Sequence, residues 1–231
     1  MKNQYVGDIN DYFKYALLRS IESEGVGRLL VCWMLTPDDG GTDGRRRKYL
    51  SEPAKFRGAD PWLFDELRHL TGNGQPCVAD VQAAGVFDDA VFVERLLGDT
   101  KADRDSYFQE VSSLLRPGDT VFFDPDNGLD VKSVPKGRKN SAKYVYVDEL
   151  ASVCDSTRSV IVYQHFGRVP RAQYLQAQLQ RIGDALPDRE VFAIAGTHVA
   201  FLAACARGHW PRIRRGADGL CRRWPNIQLV D

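Results

Sequence analysis

Apolar positions along the chain follow two periods. In "DINDYFKYALLRSIES" they fall at Ile9, Tyr12, Phe13, Ala16, Leu17 and Ile21, close to the spacing of one helical face, with an Asp or Asn available as N-cap and "EGVG" to stop the helix. "GRLLVCWML" has no polar face and reads as a strand buried on both sides, closed by the loop composition of "TPDDGGTDG". The same reasoning predicts helices in "DPWLFDELRHL", "DAVFVERLLG" and "RDSYFQEVSSLL", and one or two short strands between Asn73 and Val91. It then predicts a short buried strand in "TVFFD", a helix starting in "YVYVDELASVCD", an apolar strand in "SVIVYQHF" and a long amphipathic helix in "RAQYLQAQLQRIGDAL". "REVFAIAG" and "HVAFLAACA" follow as further apolar runs.

Short apolar strands separated by helices are the pattern of a mostly parallel sheet covered on both faces. The expected architecture is therefore α/β: one Rossmann-like, three-layer domain spanning residues 1–231. In such sheets ligands bind outside the carboxyl ends of the strands. Three polar loops follow buried strands directly: "TPDDGGTDGR", "DPDNGLD" and "YQHFGR".

Composition changes this picture little. The 231 residues are 43% hydrophobic and hold 31 basic and 31 acidic side chains, enough for a packed core and too balanced for a general attraction to nucleic acid or membrane. No apolar run approaches a membrane span, and "MKNQYVGDIND" has no signal or transit character, so a cytoplasmic protein is expected. Cys32, Cys77, Cys154, Cys205 and Cys221 are dispersed and form no C-x-x-C pair, which suits core thiols better than disulfides or zinc. Charge is nonetheless clustered. Basic runs at Arg45–Lys48, Lys132–Lys143 and Arg207–Arg223 suit a phosphate-bearing partner such as nucleic acid, or plain solvated faces, and the second is a flexible loop by composition.

The densest chemistry is "FFDPDNGLD", where a buried strand runs into Asp124, Asp126, Asn127 and Asp130. Together with Lys14 in "DYFKYALL" and the glycine-bearing first loop, "GDTVFFDPDN" resembles the S-adenosylmethionine-dependent methyltransferase fold. It is similar to the bacterial ribosomal-RNA adenine-N6 methyltransferases with a lysine-bearing first helix and to the three-Cys-motif partner proteins. The motif-level match is Asp124 with Pro125; "PDDGGTDG" stands in place of G-x-G, and Asp126 with Asn127 in place of the stacking aromatic. The resemblance implies a nucleic acid or nucleotide substrate. It implies Asp124 as acceptor for the group to be methylated, Lys14 and Asn127 beside it, and S-adenosylmethionine over Asp38, Asp39, Gly40, Gly41, Asp43 and Gly44. Tyr163 or Phe166 would replace the missing ring.

Two other readings stay open. If the first loop and "DPDNGLD" converge, Asp38, Asp39 and Asp43 meet Asp124, Asp126 and Asp130. Carboxylates about 4 Å apart repel by roughly 4 kcal/mol at an effective dielectric of 20, so such a crevice needs cations. Mg²⁺ or Mn²⁺ held by Asp38, Asp43, Asp124, Asp126 and Asp130 would make a nuclease or phosphohydrolase, with His165 as acid, base or ligand and Arg168 on a phosphate. Alternatively the chain binds without catalysis, its acidic loops serving as caps and turns. Lys14 also reads as a snorkelling lysine at a helix edge. His198 follows an apolar run and reads as a core or capping histidine, and His69 and His209 carry no context that marks a site.

Overall fold

The computed structural model describes residues 1–41, 44–224 and 226–231. Helix α1 (Ile9–Glu22) starts where the Asp8 carboxylate accepts the Asn10 N–H at 2.9 Å, and it buries Tyr12, Phe13, Leu17 and Ile21. Strand β1 (Leu29–Cys32) follows, then α2 (Pro53–Phe56), α3 (Pro61–Gly72) and α4 (Val78–Ala83). Next come β2 (Ala90–Val93), α5 (Lys101–Leu114), β3 (Thr120–Phe123), β4 (Gly128–Leu129), β5 (Tyr144–Val145) and α6 (Val147–Val153). The remainder is β6 (Ser159–His165), α7 (Arg171–Ala185), β7 (Glu190–Ala195), β8 (Val199–Cys205), α8 (Trp210–Arg223) and β9 (Gln228–Val230).

Two expectations are corrected. "DAVFVERLLG" begins as strand β2, because Ala90 to Val93 pair in parallel with Leu29 to Cys32; the β-branched and aromatic side chains suit that edge, and the pairing outweighs the helical spacing. The stretch from Asn73 to Val91 holds α4 in place of a separate strand, started by the Asp80 carboxylate on the Cys77 N–H at 2.7 Å.

The main sheet has the order β2-β1-β3-β6-β8-β7-β9, and β4 pairs with β5 beside it. Strands β2, β1, β3 and β6 are mutually parallel, whereas β8 runs against both β6 and β7, and β9 against β7. Five of the seven strands thus point the same way. Alternate residues feed two cores. Val31, Trp33, Phe122 and Phe201 pack with α1, α3 and α8 on one face; Cys32, Phe123, Val162 and Leu202 pack with α5, α6 and α7 on the other. All five cysteines are free thiols, Cys32 and Cys205 buried. Among the described residues, no helix is long and apolar enough to cross a membrane.

The chain leaves β1 for β2 on one side and returns across it to β3 on the other, so strand order reverses between β1 and β3. A crevice is expected outside their carboxyl ends. The turn between β7 and β8 opens at this same end, since Val199 pairs with His165.

Candidate functional site

Strand pairing carries one residue past β3: the Asp124 N–H donates to the Cys32 carbonyl at 3.0 Å. This fixes the Asp124 carboxylate under the amino-terminal turns of α1. Lys14, on the second turn of that helix, places Nζ 2.6 Å from Asp124 Oδ2 and 2.8 Å from Asp11 Oδ1. Its ammonium also lies 5.2 Å from the Tyr15 ring centroid, 5.3 Å from that of Tyr163 and 5.7 Å from that of Trp33. Lys14 is 1% exposed, so it is no snorkelling lysine. A buried ammonium between two carboxylates and three aromatic faces is stable because attraction offsets its lost hydration.

Protonation follows from these contacts. Burial, opposed by Lys14 and reinforced by Asp124, pushes Asp11 up to about 6. Burial alone would lower Lys14, but Asp11 and Asp124 more than compensate and raise it. Burial together with Asp124 and Asp11 holds the Tyr163 phenol well above its ordinary value. Desolvation, opposed by Asp124, holds His165 below its ordinary value.

The three aspartates of "DPDNGLD" go three separate ways. Asp124 faces α1. Asp126 accepts the Thr36 hydroxyl at 2.7 Å, and its Oδ1 lies 2.8 Å from the Met1 amine, which also donates to the carbonyls of Met34 and Asp124. Burial would raise Asp126, yet the ammonium and the hydroxyl hold it below its usual value. Asp130 turns from the crevice and pairs with Arg181 of α7 at 2.9 Å. Between them Asn127 ties the loop down through its backbone: its N–H donates to the Lys143 carbonyl at 2.9 Å, and its carbonyl accepts the His165 N–H at 3.1 Å. Gly128 at φ +120° lies so close to Gln164 that a Cβ would stand 2.3 Å from Nε2, a conformation only glycine adopts freely.

A cleft of about 450 Å³ opens over this floor. Of the residues singled out in the sequence, Lys14, Asp39, Gly44, Asp124, Asp126, Asn127 and His165 line it. Gly44, at φ +79°, lets the first loop pass Tyr5, whose Cδ1 would be 2.1 Å from an added Cβ. Gly40, Gly41 and Asp38 are not in its wall; the Asp38 carboxylate accepts the Gln4 N–H at 3.1 Å. Asp43 lies outside the described residues. Tyr163 lines the cleft, whereas Phe166 packs against Tyr174, 6.3 Å between centroids.

The loops after β1 and β3 do converge, but their carboxylates do not form a bare cluster. Lys14 answers Asp11 and Asp124, the Met1 amine answers Asp126, and Lys2 pairs with Asp39. Among the described residues no group of three or more His, Cys, Asp or Glu is arranged to hold a metal ion. Of the expected Mg²⁺ or Mn²⁺ ligands Asp38, Asp43, Asp124, Asp126 and Asp130, Asp130 pairs with Arg181, Asp38 accepts from Gln4, and Asp124 and Asp126 pair with Lys14 and the Met1 amine; Asp43 lies outside the described residues.

Sequence reasoning overlooked Met1, Tyr5, Asp8 and Asp11, which line the same cleft, and placed Arg46 only within a basic run. For Asp11 a signal existed: it precedes Lys14 by three residues, which sets both on one helical face. Of the basic loop at residues 132–143, only Lys143 reaches the cleft wall. That loop is anchored at its end: Asp99 accepts the N–H groups of Asn140 and Ala142, each at 2.8 Å.

Comparison with protein-family models, with curated proteins and with solved structures gives no match.

Proposed function

We propose that this cleft binds S-adenosylmethionine together with a nucleic acid or nucleotide, and that the chain transfers a methyl group to a nitrogen of that substrate. The observation that carries the reading is Asp124, set at the carboxyl end of β3 where strand order reverses and clamped there by Lys14.

The residues present fit the cofactor. A volume of about 450 Å³ lies within the range of roughly 300–1,000 Å³ of small-molecule sites. The wall holds Asp8, Asp39 and Asp126 paired with Arg46, Lys2 and the Met1 amine, so a bound cofactor's charged groups would exchange with those partners. When bound, S-adenosylmethionine supplies an activated methyl group on a sulfonium, so the protein's task is chiefly positioning.

Lys14 takes Oδ2 of Asp124, which leaves Oδ1 to accept a hydrogen bond from a substrate N–H. That bond turns the nitrogen lone pair toward the methyl donor and raises its nucleophilicity. Tyr163 lies beside Lys14 with its phenol protonated across the physiological range, and it forms a flat wall for a base. His165 lines the same cleft and is neutral near pH 7, able to accept the proton that nitrogen methylation releases.

The test is calorimetric titration with S-adenosylmethionine, followed by transfer of labelled methyl groups to pools of RNA, DNA and nucleotides. Binding at micromolar affinity and transfer that disappears in Asp124→Asn are expected. Absence of cofactor binding by a folded protein would sink the reading.

A further inference from the structure

A second cleft of about 490 Å³ adjoins the first, and Asn10 and Arg46 line both. Among the described residues its rim carries Arg45, Arg46, Arg47, Lys48 and Lys55 with one carboxylate in the lining, Glu52, while Arg46 also reaches Asp8 at 3.5 Å. Lys48 and Glu52 approach only to 3.8 Å, with the lysine side chain 89% exposed, so that pair scarcely neutralises the rim. In a chain of zero net charge, this concentration is a local feature.

The floor differs in kind. Phe13, Tyr49 and Trp224 are buried to 4, 3 and 8% exposure and line the cleft. They are held by one another through Tyr12: Tyr12 stacks on Tyr49 at 5.3 Å, and Trp224 lies 4.7 Å from Tyr12 and 5.4 Å from Phe13. A rigid apolar floor under a guanidinium-rich rim matches a nucleotide: the base against the floor, the phosphate on the arginines.

Position ties this cleft to the first. It is bounded by Gly196, Thr197 and His198 of the β7–β8 turn, on the β6 side of Asp124, and by Arg45 to Lys48 at the end of the first loop. A polymer whose target base lies over Asp124 would leave by the boundary at Arg46.

We infer that the second cleft seats the nucleotide next to the one methylated, and that the substrate is a single-stranded nucleic acid. The inference rests on the methyltransferase reading of the first cleft. A duplex keeps its bases stacked and paired, so it cannot place two successive nucleotides in two concave sites without opening.

The experiment is fluorescence anisotropy with labelled eight-nucleotide RNA, the same sequence as DNA, and the corresponding duplex. The protein is compared with Arg45→Ala/Lys48→Ala and with Lys55→Ala, and each is titrated calorimetrically with S-adenosylmethionine. Both single strands should bind more tightly than the duplex. The double variant should bind about tenfold more weakly, and its salt slope should fall by about 1.4, roughly 0.7 for each single-strand phosphate that the variant no longer neutralises. Cofactor affinity should not move. A tenfold or greater preference for one sugar would support the site and identify the polymer as RNA or DNA. Duplex binding as tight as single-strand binding, an unaltered affinity in the double variant, or displacement by polyglutamate at equal charge would overturn the inference. Cofactor binding with an affinity for oligonucleotides indifferent to Arg45 and Lys48 sinks this surface and spares the methyltransferase. Strand binding that depends on those residues without cofactor binding supports the surface and sinks the enzyme.

Discussion

Lys14 Nζ lies 2.6 Å from Asp124 Oδ2, with the two side chains 1 and 2% exposed, across 110 residues of sequence. This pair joins the first helix to the loop after β3, and Asp11 shares the same ammonium. Removing the amine leaves two carboxylates buried side by side. Lys14→Met is expected to cost about 3–5 kcal/mol, the usual consequence of stripping one partner from a buried ion pair. Urea unfolding measures it. Adding Asp11→Asn and Asp124→Asn to the variant should recover much of the loss; no recovery would mean that the cost comes from packing.

The pH dependence of stability has two opposing sources. Asp11 is raised from 3.8 to about 6 by burial, so the folded state binds its proton more tightly than the unfolded state. Its contribution is full below about 4 and is lost as pH rises through about 6. Asp126 is lowered, so its contribution is present above the ordinary carboxylate value and is lost as pH falls. Asp11→Asn should therefore gain on the parent protein between pH 4 and 6, by on the order of 2–3 kcal/mol. Asp126→Asn should flatten the acid limb instead. Urea midpoints at pH 4, 5, 6 and 7 separate the two.

Arg104 makes a two-pronged contact with Glu149 at 2.8 and 2.6 Å, and donates to the Ser141 and Tyr144 carbonyls at 2.9 and 3.1 Å. It is 1% exposed. Lysine retains the charge but cannot span four acceptors. Arg104→Lys is expected to lose roughly 2–4 kcal/mol, and amide exchange should quicken first around residues 139–146. An unchanged exchange pattern would contradict this.

At Gly128 an added methyl collides with Gln164, whose Oε1 accepts the Leu129 N–H at 2.8 Å and whose Nε2 donates to the Tyr174 hydroxyl at 2.8 Å. Gly128→Ala combines that collision with a backbone angle unfavourable to alanine. It should destabilise by about 3 kcal/mol or more, visible as a fall in the thermal midpoint. Tolerance of alanine would mean that the loop has a second conformation.

The elements that carry the cleft or the strands beneath it were legible because each has a local pattern: α1 by its spacing, and β1, β3 and β6 as largely apolar runs. Convergence of the first loop on "DPDNGLD" was open in the sequence, since it needs a doubly wound topology that makes the two strands neighbours, and the pairing of β1 with β3 supplies it. What escaped was nonlocal. The partners of Asp124 and Asp126 come from Lys14, the Met1 amine and Thr36, 90 to 125 residues away, and no periodicity marks such pairing. Three aspartates in seven residues therefore read as one cluster, when the fold gives each its own partner. Residues 90–93 read as helix because their partner strand, not their own spacing, decides their state.

Strand β6 carries the wall residues Tyr163 and His165, yet it is held between β3 and β8, and β8 arrives only with Val199 to Cys205. During synthesis the whole floor, from Lys14 to His165, is present while one flank of β6 still exposes unpaired amides and carbonyls beside buried-type side chains. A chain halted between residues 165 and 199 would present that flank to any neighbour, and aggregation is its natural outcome. The reversed hairpin thus acts as the closing piece: translation must reach Cys205 before the cleft has a finished wall.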